Sequence, residues 1–181
     1  MPNDGCTLSF GANSSSYCAI GSTENNGRVY CNMLQDVSIG KNVTSIGNYA
    51  FSSCYSLESI TLPDGVTSIG GSAFSDCPSL VSITIPYGVT SIGTGVFSGC
   101  YSLVSITIPD GVTSIGSTAF ARCYGMRYYD FSACTDVPTL SNTNAFTNIP
   151  SDCQMLIPSA LYDAWKSATN WSTYASYMVS V

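Results

Sequence analysis

The stretch SLVSITIPDGVTSIG, residues 102–116, recurs almost unchanged along this chain of 181 residues. Residues 79–93 differ from it only by Tyr87 in place of Asp110, and residues 56–70 are a third copy. On these copies the chain aligns with itself at a period of 23 residues. Self-similarity at a period of about 20 to 50 residues is the signature of a solenoid. The stretch is therefore predicted to be a building unit and not itself a site.

Each copy is predicted to contribute two strands to its coil. In SITLP, residues 59–63, Ile60 and Leu62 alternate with Ser and Thr, which is typical of a half-buried strand. The Pro-Asp-Gly that ends this segment favours a turn, and the following Val-Thr-Ser-Ile predicts a second short strand. The stretch SAFSDC, residues 72–77, predicts a single helical or 3₁₀ turn. A parallel sheet is expected from strands that begin near Leu34, Leu57, Leu80, Leu103, Met126 and Gln154.

The copies are expected to stack and to need a cap at each end. One copy cannot fold alone, because its buried side chains offset only part of the entropy lost when its backbone is ordered. Stacked copies bury one another's faces, and the end coils must be covered. We expect an N-terminal cap and half-repeat at residues 1–41, four repeats at residues 42–133, and a C-terminal capping segment with a last strand and short helices at residues 134–181.

The C-terminal cap is predicted to be helical. Ser159 can cap a helix, and the spacing of the apolar residues beyond it predicts a lid over the last coil. The alternative for the two tryptophans in this segment is a carbohydrate-binding platform. The two apolar sets are Leu161, Trp165 and Ala168, and Trp171, Tyr174 and Met178.

Charged side chains are scarce in this chain. It has five lysines and arginines, eleven aspartates and glutamates, and a net charge of -6. Because there is no basic patch, neither nucleic acid nor an anionic membrane is expected as a partner. No apolar run reaches the ~18 residues of a spanning helix, so no membrane insertion is expected. No signal peptide follows Met1, so the protein either stays inside a cell or particle or is a mature piece that lacks its leader.

The sequence offers no catalytic or cofactor site. It has no histidine, which removes Ser-His-Asp and Cys-His arrangements and the commonest general base. Asp64 and Asp110 occupy the same turn position two coils apart, a separation of roughly 10 Å. The Pro-Asp-Gly context already explains both as turn residues. No enzymatic activity, cofactor or metal is therefore expected.

Five of the nine cysteines recur at intervals of 23 residues. A zinc site needs thiolates that converge on one point, whereas this ladder spreads them along the solenoid axis. Disulfides between coils would need Cβ atoms closer than parallel neighbouring side chains bring them, so we expect buried free thiols that pack as small hydrophobes. The ladder is Cys31, Cys54, Cys77, Cys100 and Cys123, and the other four, Cys6, Cys18, Cys134 and Cys153, are candidates for stapling the caps, Cys6 with Cys18 among them.

The segments SLESITLPDGVTSIGGSAFSDC and SLVSITIPDGVTSIGSTAFARC resemble the BspA-like, or Treponema-type, leucine-rich repeats of bacterial surface proteins. The resemblance covers about residues 31–131. The tail from residue 137 onward is similar to the closing segment attached to such repeats in proteins of gut bacteria and some of their phages. The resemblance implies a right-handed leucine-rich repeat solenoid used for adhesion or recognition, with no shared catalytic residues.

Binding residues are expected where the copies differ. The outward positions of the predicted sheet form a smooth field of Ser and Thr, whereas binding hot spots favour Tyr, Trp and Arg. The departures are tyrosines after ladder cysteines, one tyrosine in a turn, and the decayed last coil, which also contains Tyr129. The alternative is that each tyrosine only covers the edge of its coil. The candidates are Tyr55, Tyr87, Tyr101, Tyr124, Arg127, Tyr128 and Asp130.

The expected function is therefore binding without catalysis. The sequence and the resemblance together predict a monomeric adhesion module of a bacterial cell-surface or secreted protein that recognises a protein or a glycan. The first alternative is a structural or receptor-binding module associated with a phage tail, which would place the protein on a phage particle. The second is a glycan-acting enzyme that uses Asp64 and Asp110.

Overall fold

The computed structural model describes residues 7–10 and 34–181. This part of the chain is built almost entirely from short strands and turns, with one α-helix, α1 (Tyr162–Ser167), and 3₁₀ segments at Ser159–Leu161 and Trp171–Tyr177. The strands, in chain order, are β1 (Thr7–Phe10), β2 (Leu34–Ser38), β3 (Ser45–Ile46), β4 (Ser59–Thr61), β5 (Ser68–Ile69), β6 (Ser82–Ile83), β7 (Ser91–Ile92), β8 (Ser105–Thr107), β9 (Ser114–Ile115), β10 (Tyr128–Asp130), β11 (Thr139–Leu140), β12 (Gln154–Ile157) and β13 (Met178–Ser180).

Each coil supplies one strand to each of two sides of the solenoid, as predicted. On the first side lie β2, β4, β6, β8, β10 and β12, each of which begins at the predicted residue or within two residues of it. On the second side β3, β5, β7, β9 and β11 form one five-stranded sheet whose strand pairs are all parallel. The inward residues are isoleucines, valines and leucines, and they form one continuous core.

The first side is not the single continuous sheet that the repeats predict. One four-stranded sheet has the order β1-β2-β4-β6 and another the order β13-β12-β10-β8. Between β6 and β8 the backbones remain close enough for the Val104 N–H to donate to the Val81 carbonyl at 3.3 Å. In the next coil the Ile108 N–H donates to the Asp130 carbonyl at 2.8 Å. Within the described residues β6 and β8 are not paired as strands, and the two sheets of the first side meet at this point.

On the third side of each coil a helical or 3₁₀ turn was predicted, and the structure has i→i+3 hydrogen-bonded turns there without a continuous helix. In four successive coils two residues of this segment adopt a left-handed backbone, for example Ser72 and Asp76, each with φ of 54°. The N–H groups of alternate residues therefore point to the next coil, and that of Phe74 donates to the Val96 carbonyl at 2.9 Å. The N–H groups between them close turns within the coil, as Ser75 does to Ser72 at 3.1 Å. A helix would direct all of these donors along its own segment, whereas this arrangement bonds neighbouring coils on the third side as well.

A ladder of phenylalanine rings runs through the core parallel to the solenoid axis. Phe51, Phe74, Phe97 and Phe120 are almost fully buried, and successive ring centroids lie 5.4, 5.7 and 5.4 Å apart with nearly parallel planes. Phe146 extends the ladder at 5.3 Å from Phe120. Every coil is thus held to its neighbours by aromatic packing on the inside and by backbone hydrogen bonds around the outside.

The cysteine ladder lies beside these rings, and its described members are buried free thiols. The thiol of Cys77 donates to the Phe51 carbonyl of the preceding coil at 3.0 Å, and Cys100 and Cys123 repeat this bond. Burial raises the pKa of Cys77 to about 12, so the thiols remain protonated donors at neutral pH. Cys134 and Cys153 are also free and buried, so they do not staple the C-terminal cap. Cys6, Cys18 and Cys31 lie outside the described residues.

We expect these thiols to be unreactive in the folded protein. Only the thiolate attacks an alkylating reagent, and burial disfavours the thiolate here. Iodoacetamide labelling at pH 8 followed by peptide mass spectrometry should find the four described ladder cysteines unmodified before denaturation in guanidinium and fully modified after it. Rapid labelling of Cys77 or Cys100 in the folded protein, or recovery of either in a disulfide, would contradict the buried ladder.

Both ends of the first side are covered by added strands. At one end β1 pairs antiparallel with β2, and at the other β13 pairs parallel with β12. The predicted lid is confirmed: the indole of Trp171 is buried and its N–H donates to the Pro138 carbonyl at 2.6 Å. Trp165 packs against it with ring centroids 4.5 Å apart. The two tryptophans are core residues and not a surface carbohydrate platform.

One detail of the lid was predicted wrongly. Ser159 does not cap a helix, because residues Ser159–Leu161 form a 3₁₀ turn and α1 begins at Tyr162 without a side-chain cap. The apolar faces nevertheless agree with the structure, since Leu161 and Ala168 pack against the core beside Trp165.

Candidate binding face

Exposed apolar side chains gather where the strands of the first side begin. Tyr55, Tyr101 and Tyr124 directly follow ladder cysteines and are 50%, 41% and 55% exposed. The rings of Tyr101 and Tyr124, from successive coils, lie 5.3 Å apart. The coil between those of Tyr55 and Tyr101 has Pro78 at this position, so the row of tyrosines is interrupted there.

The row is widened by residues three and four positions further along each coil. Val81 and Val104 are exposed just before β6 and β8, and Tyr128 is exposed at the start of β10. We refer to these six residues, Tyr55, Val81, Tyr101, Val104, Tyr124 and Tyr128, as the tyrosine edge. The four tyrosines are among the candidates that the sequence predicts, whereas the two valines are not. Their signal was present, because an apolar residue stands where the neighbouring coils have Glu58 and Arg127.

The decayed last coil places its polar candidates differently. Arg127 is exposed beside Tyr128, and in the described part of the chain it makes no ion pair, unlike Arg122, which lies 3.1 Å from Asp76. The carboxylate of Asp130 is half-buried and accepts a hydrogen bond from the Ser132 N–H at 2.9 Å. Arg127 is therefore available to a partner, while Asp130 is partly engaged in a local turn.

Tyr129, the other tyrosine of that coil, is a core residue and not a surface contact. Its ring is fully buried with centroids 5.2 Å from Phe120 and 4.8 Å from Phe146. Its hydroxyl has no oxygen or nitrogen partner among the described residues, and burial raises its pKa well above the usual range. It takes the inward position held by isoleucine in the preceding coils.

Tyr87 stands apart from the tyrosine edge. It follows β6, at the opposite end of the strands, and it is 85% exposed, the most exposed large apolar side chain of the described residues. It lies at the mouth of a groove between β6 and β8, where the two sheets of the first side separate. Six of the seven predicted binding residues thus lie near the beginning of the first-side strands or in the coil that contains β10. Tyr87 lies beyond the opposite end of these strands.

The repeat pattern of the sequence identifies the family. A model of the BspA-type leucine-rich repeat region matches residues 24–153 in six copies. The chain belongs to this family. The match begins before the half-repeat and ends at the residue before β12. It therefore includes strands β2 to β11, which belong to the two sides of the solenoid. No curated protein sequence matches the chain.

Solved structures of other leucine-rich proteins share the fold. A leucine-rich cell surface protein of Faecalibacterium prausnitzii is 34% identical, with a TM-score of 0.59, over 69% of this chain and 34% of that protein. A leucine-rich repeat protein of Bacteroides ovatus is 31% identical, with a TM-score of 0.56, over 68% and 36% respectively. The chain therefore spans about a third of the length of these relatives. The pneumococcal vaccine antigen PcpA, at 16% identity and a TM-score of 0.58, shares the fold alone.

The described BspA-type coils bring together no constellation typical of catalysis. Asp110 accepts hydrogen bonds from the backbone N–H and the hydroxyl of Thr135, at 2.7 and 2.8 Å. These bonds lower the pKa of its carboxyl, the opposite of what a general acid requires. No three potential metal ligands cluster among residues 34–181. Nor does this part of the chain contain a helix long and apolar enough to span a membrane.

Proposed function

We propose that this chain is a non-catalytic recognition module displayed on a bacterial cell surface, and that it binds a protein partner through the tyrosine edge. The observation that carries the proposal is the grouping of six exposed tyrosine and valine side chains at one end of the first side. The likeness to a cell surface protein of Faecalibacterium prausnitzii supports the location.

The composition of the tyrosine edge is that of a binding surface. Exposed apolar residues scattered singly need no explanation, whereas a contiguous group marks an interaction site. Tyrosine offers a large contact area with a polar tip and few rotatable bonds, and it is enriched among residues that dominate binding energy. Arg127 adds a cation beside the aromatic rings, which suits a carboxylate or a carbonyl of the partner.

The scaffold supports binding with little loss of conformational entropy. Neighbouring coils are bonded on the third and second sides, for example through the N–H of Phe97 to the Ala119 carbonyl at 2.8 Å and that of Thr113 to the Thr90 carbonyl at 2.9 Å. A rigid surface loses less freedom on association than a flexible loop. The backbone that carries the tyrosines is therefore ordered before the partner binds.

Replacement of both Tyr101 and Tyr124 by alanine should weaken binding of the partner by at least about tenfold. In the complex of the parent chain both rings are expected to be desolvated at the centre of the interface, and the variant loses that contact. The intact chain is first screened against an array of purified extracellular proteins of the intestinal mucosa. Dissociation constants of each hit are then measured by surface plasmon resonance for the parent and for the double variant. Since the six residues of the tyrosine edge carry no charge and Arg127 beside them adds one cation, the affinity should change little between low and high salt.

The matched control is Tyr87→Ala, which removes a more exposed tyrosine outside the tyrosine edge and should leave protein binding unchanged. The proposal is wrong if no protein on the array binds. It is also wrong if Tyr101→Ala with Tyr124→Ala leaves the affinity of every hit intact, or if Tyr87→Ala abolishes it.

A further inference from the structure

The groove between β6 and β8 is a second surface with its own chemistry. It has a volume of about 360 Å³ and is lined by residues of two successive coils and by Ala133 of the coil after them. It lies where the strand ladder of the first side is interrupted, beyond the bond between Val104 and Val81. Its lining residues are Ser82, Ile83, Thr84, Ile85, Tyr87, Ser105, Ile106, Thr107, Pro109 and Ala133.

The hydroxyl groups of this groove are not used by the fold. Ser82 and Thr84 line one side, Ser105 and Thr107 the other, and none of these four hydroxyls makes a hydrogen bond within the described residues. The threonines of the second side behave differently. The hydroxyl of Thr113 donates to the Thr90 carbonyl at 3.2 Å and that of Thr139 to the Thr113 carbonyl at 3.2 Å. The same residue type stabilises the stack on one side and is left available on the other.

The turn beyond β6 adds an aromatic wall. Where the next coil has Asp110, which is bonded to Thr135, this coil has Tyr87, whose hydroxyl makes no such bond in the described part of the chain. The phenol ring stands at the rim with Pro109 and Ala133. An exposed aromatic ring therefore stands at the edge of the groove.

The lining has no charge. None of its ten residues is acidic or basic, so a phosphate, a sulfated or sialylated sugar, or a cation would leave its charge unpaired there. Hydroxyl groups both donate and accept hydrogen bonds, and an exposed aromatic ring packs against apolar C–H faces. A neutral sugar ring offers hydroxyls around its edge and C–H groups on its face, which matches both features.

We propose that this groove is a binding site for a neutral saccharide, with Tyr87 stacking on a sugar ring and the four hydroxyls of Ser82, Thr84, Ser105 and Thr107 binding its edge. The groove volume lies at the lower end of the range of small-molecule pockets, about 300 to 1,000 Å³, and therefore fits a mono- or disaccharide unit of a glycan. The site is separate from the tyrosine edge and does not depend on the proposed protein partner.

The test is a titration of the full chain with neutral saccharides, followed by ¹H–¹⁵N NMR. The probes are glucose, galactose, N-acetylglucosamine, N-acetylgalactosamine and their common disaccharides. At least one should cause saturable shifts of the amides of residues 82–85, 87 and 105–107. Tyr87→Ala should weaken that binding at least about tenfold, Tyr87→Phe should retain it because the ring remains, and Thr107→Val should weaken it because a hydroxyl is lost at nearly constant shape.

Two variants outside the groove serve as controls. Tyr124→Ala removes a ring from the tyrosine edge, and Thr113→Val removes a hydroxyl from the second side, so neither should alter saccharide binding. The proposal is overturned if no neutral saccharide gives saturable shifts in the groove, or if Tyr87→Ala binds as the parent does. Preferential binding of sialyllactose, or of an extended serine-rich peptide, at the same amides would overturn it as well.

Discussion

Replacement of Phe97 by alanine is expected to lower the free energy of unfolding by about 3 to 5 kcal/mol, because it opens a cavity at the centre of the phenylalanine ladder. Phe97 is completely buried, and its ring is stacked between Phe74 at 5.7 Å and Phe120 at 5.4 Å. Its neighbours belong to other coils and are held in place by backbone hydrogen bonds, so they cannot collapse into the space. In a solenoid each coil is stabilised by its neighbours, and a weak central interface therefore divides the array.

The measurement is equilibrium unfolding in guanidinium, monitored by circular dichroism. The matched control is Val104→Ala in the next segment of the same coil, because Val104 is exposed and its truncation should change stability by no more than about 0.5 kcal/mol. A midpoint for Phe97→Ala equal to that of the parent would contradict the ladder. A second, lower transition in this variant would agree with independent unfolding of the two halves of the array.

The strands of the two sides could be predicted because the same sequence pattern occurs in several successive copies. Alternation of isoleucine with serine and threonine indicates a strand wherever it occurs, and the period places each strand over the previous one. Separation of the two sheets between β6 and β8 could not be predicted in this way, since the letters SITIP are identical in both coils. The single departure nearby, Tyr87 in place of aspartate, marks the place without indicating its geometry.

The left-handed backbone of the third side could not be predicted from most copies of the repeat. Gly95 and Gly99 have φ of 65° and 78°, and the equivalent residues of the preceding coil are Ser72 and Asp76. Two glycines four residues apart in one copy were a signal of left-handed backbone. The non-glycine residues of the other copies concealed it, and a short apolar segment with small residues is equally compatible with a helical turn.

The cysteines illustrate a side chain whose burial was predicted and whose hydrogen bond was not. A buried thiol was expected to pack as a small hydrophobe. In the structure Cys100 also donates to the Phe74 carbonyl at 3.2 Å, a bond that alanine or valine could not make. Such a bond depends on the carbonyl of another coil, and the spacing along one copy contains no information about it.

The candidate binding residues were predicted individually, but their grouping required the fold. Tyr101 and Tyr124 are 23 residues apart in sequence, and only stacking of the coils brings their rings to 5.3 Å. Tyr87 resembles them in composition and exposure. The turn beyond β6 nevertheless places it at the other end of the strands, where it belongs to a different surface.

A glycine-to-alanine series at one position of the repeat should give opposite results in neighbouring coils. Gly70, Gly93 and Gly116 end identical VTSIG segments. At Gly116 an added Cβ would lie 2.6 Å from the backbone nitrogen of Thr94 and 2.7 Å from the Gly93 carbonyl carbon. Neither atom is free to move, because the Gly116 N–H donates to the Ile92 carbonyl at 2.7 Å and holds the two coils together. We expect Gly116→Ala to cost about 3 kcal/mol.

Gly93→Ala is the matched variant, and it should be tolerated. Its Cβ would lie 3.6 Å from the nearest atoms, which belong to Gly71, and that is an ordinary van der Waals contact. Because alanine restricts the unfolded chain more than glycine does, this variant should be as stable as the parent or slightly more stable. Thermal unfolding of both variants side by side measures the difference. Equal melting temperatures for Gly93→Ala and Gly116→Ala would mean that the coils are evenly spaced, and would contradict the close approach that the hydrogen bond of Gly116 imposes.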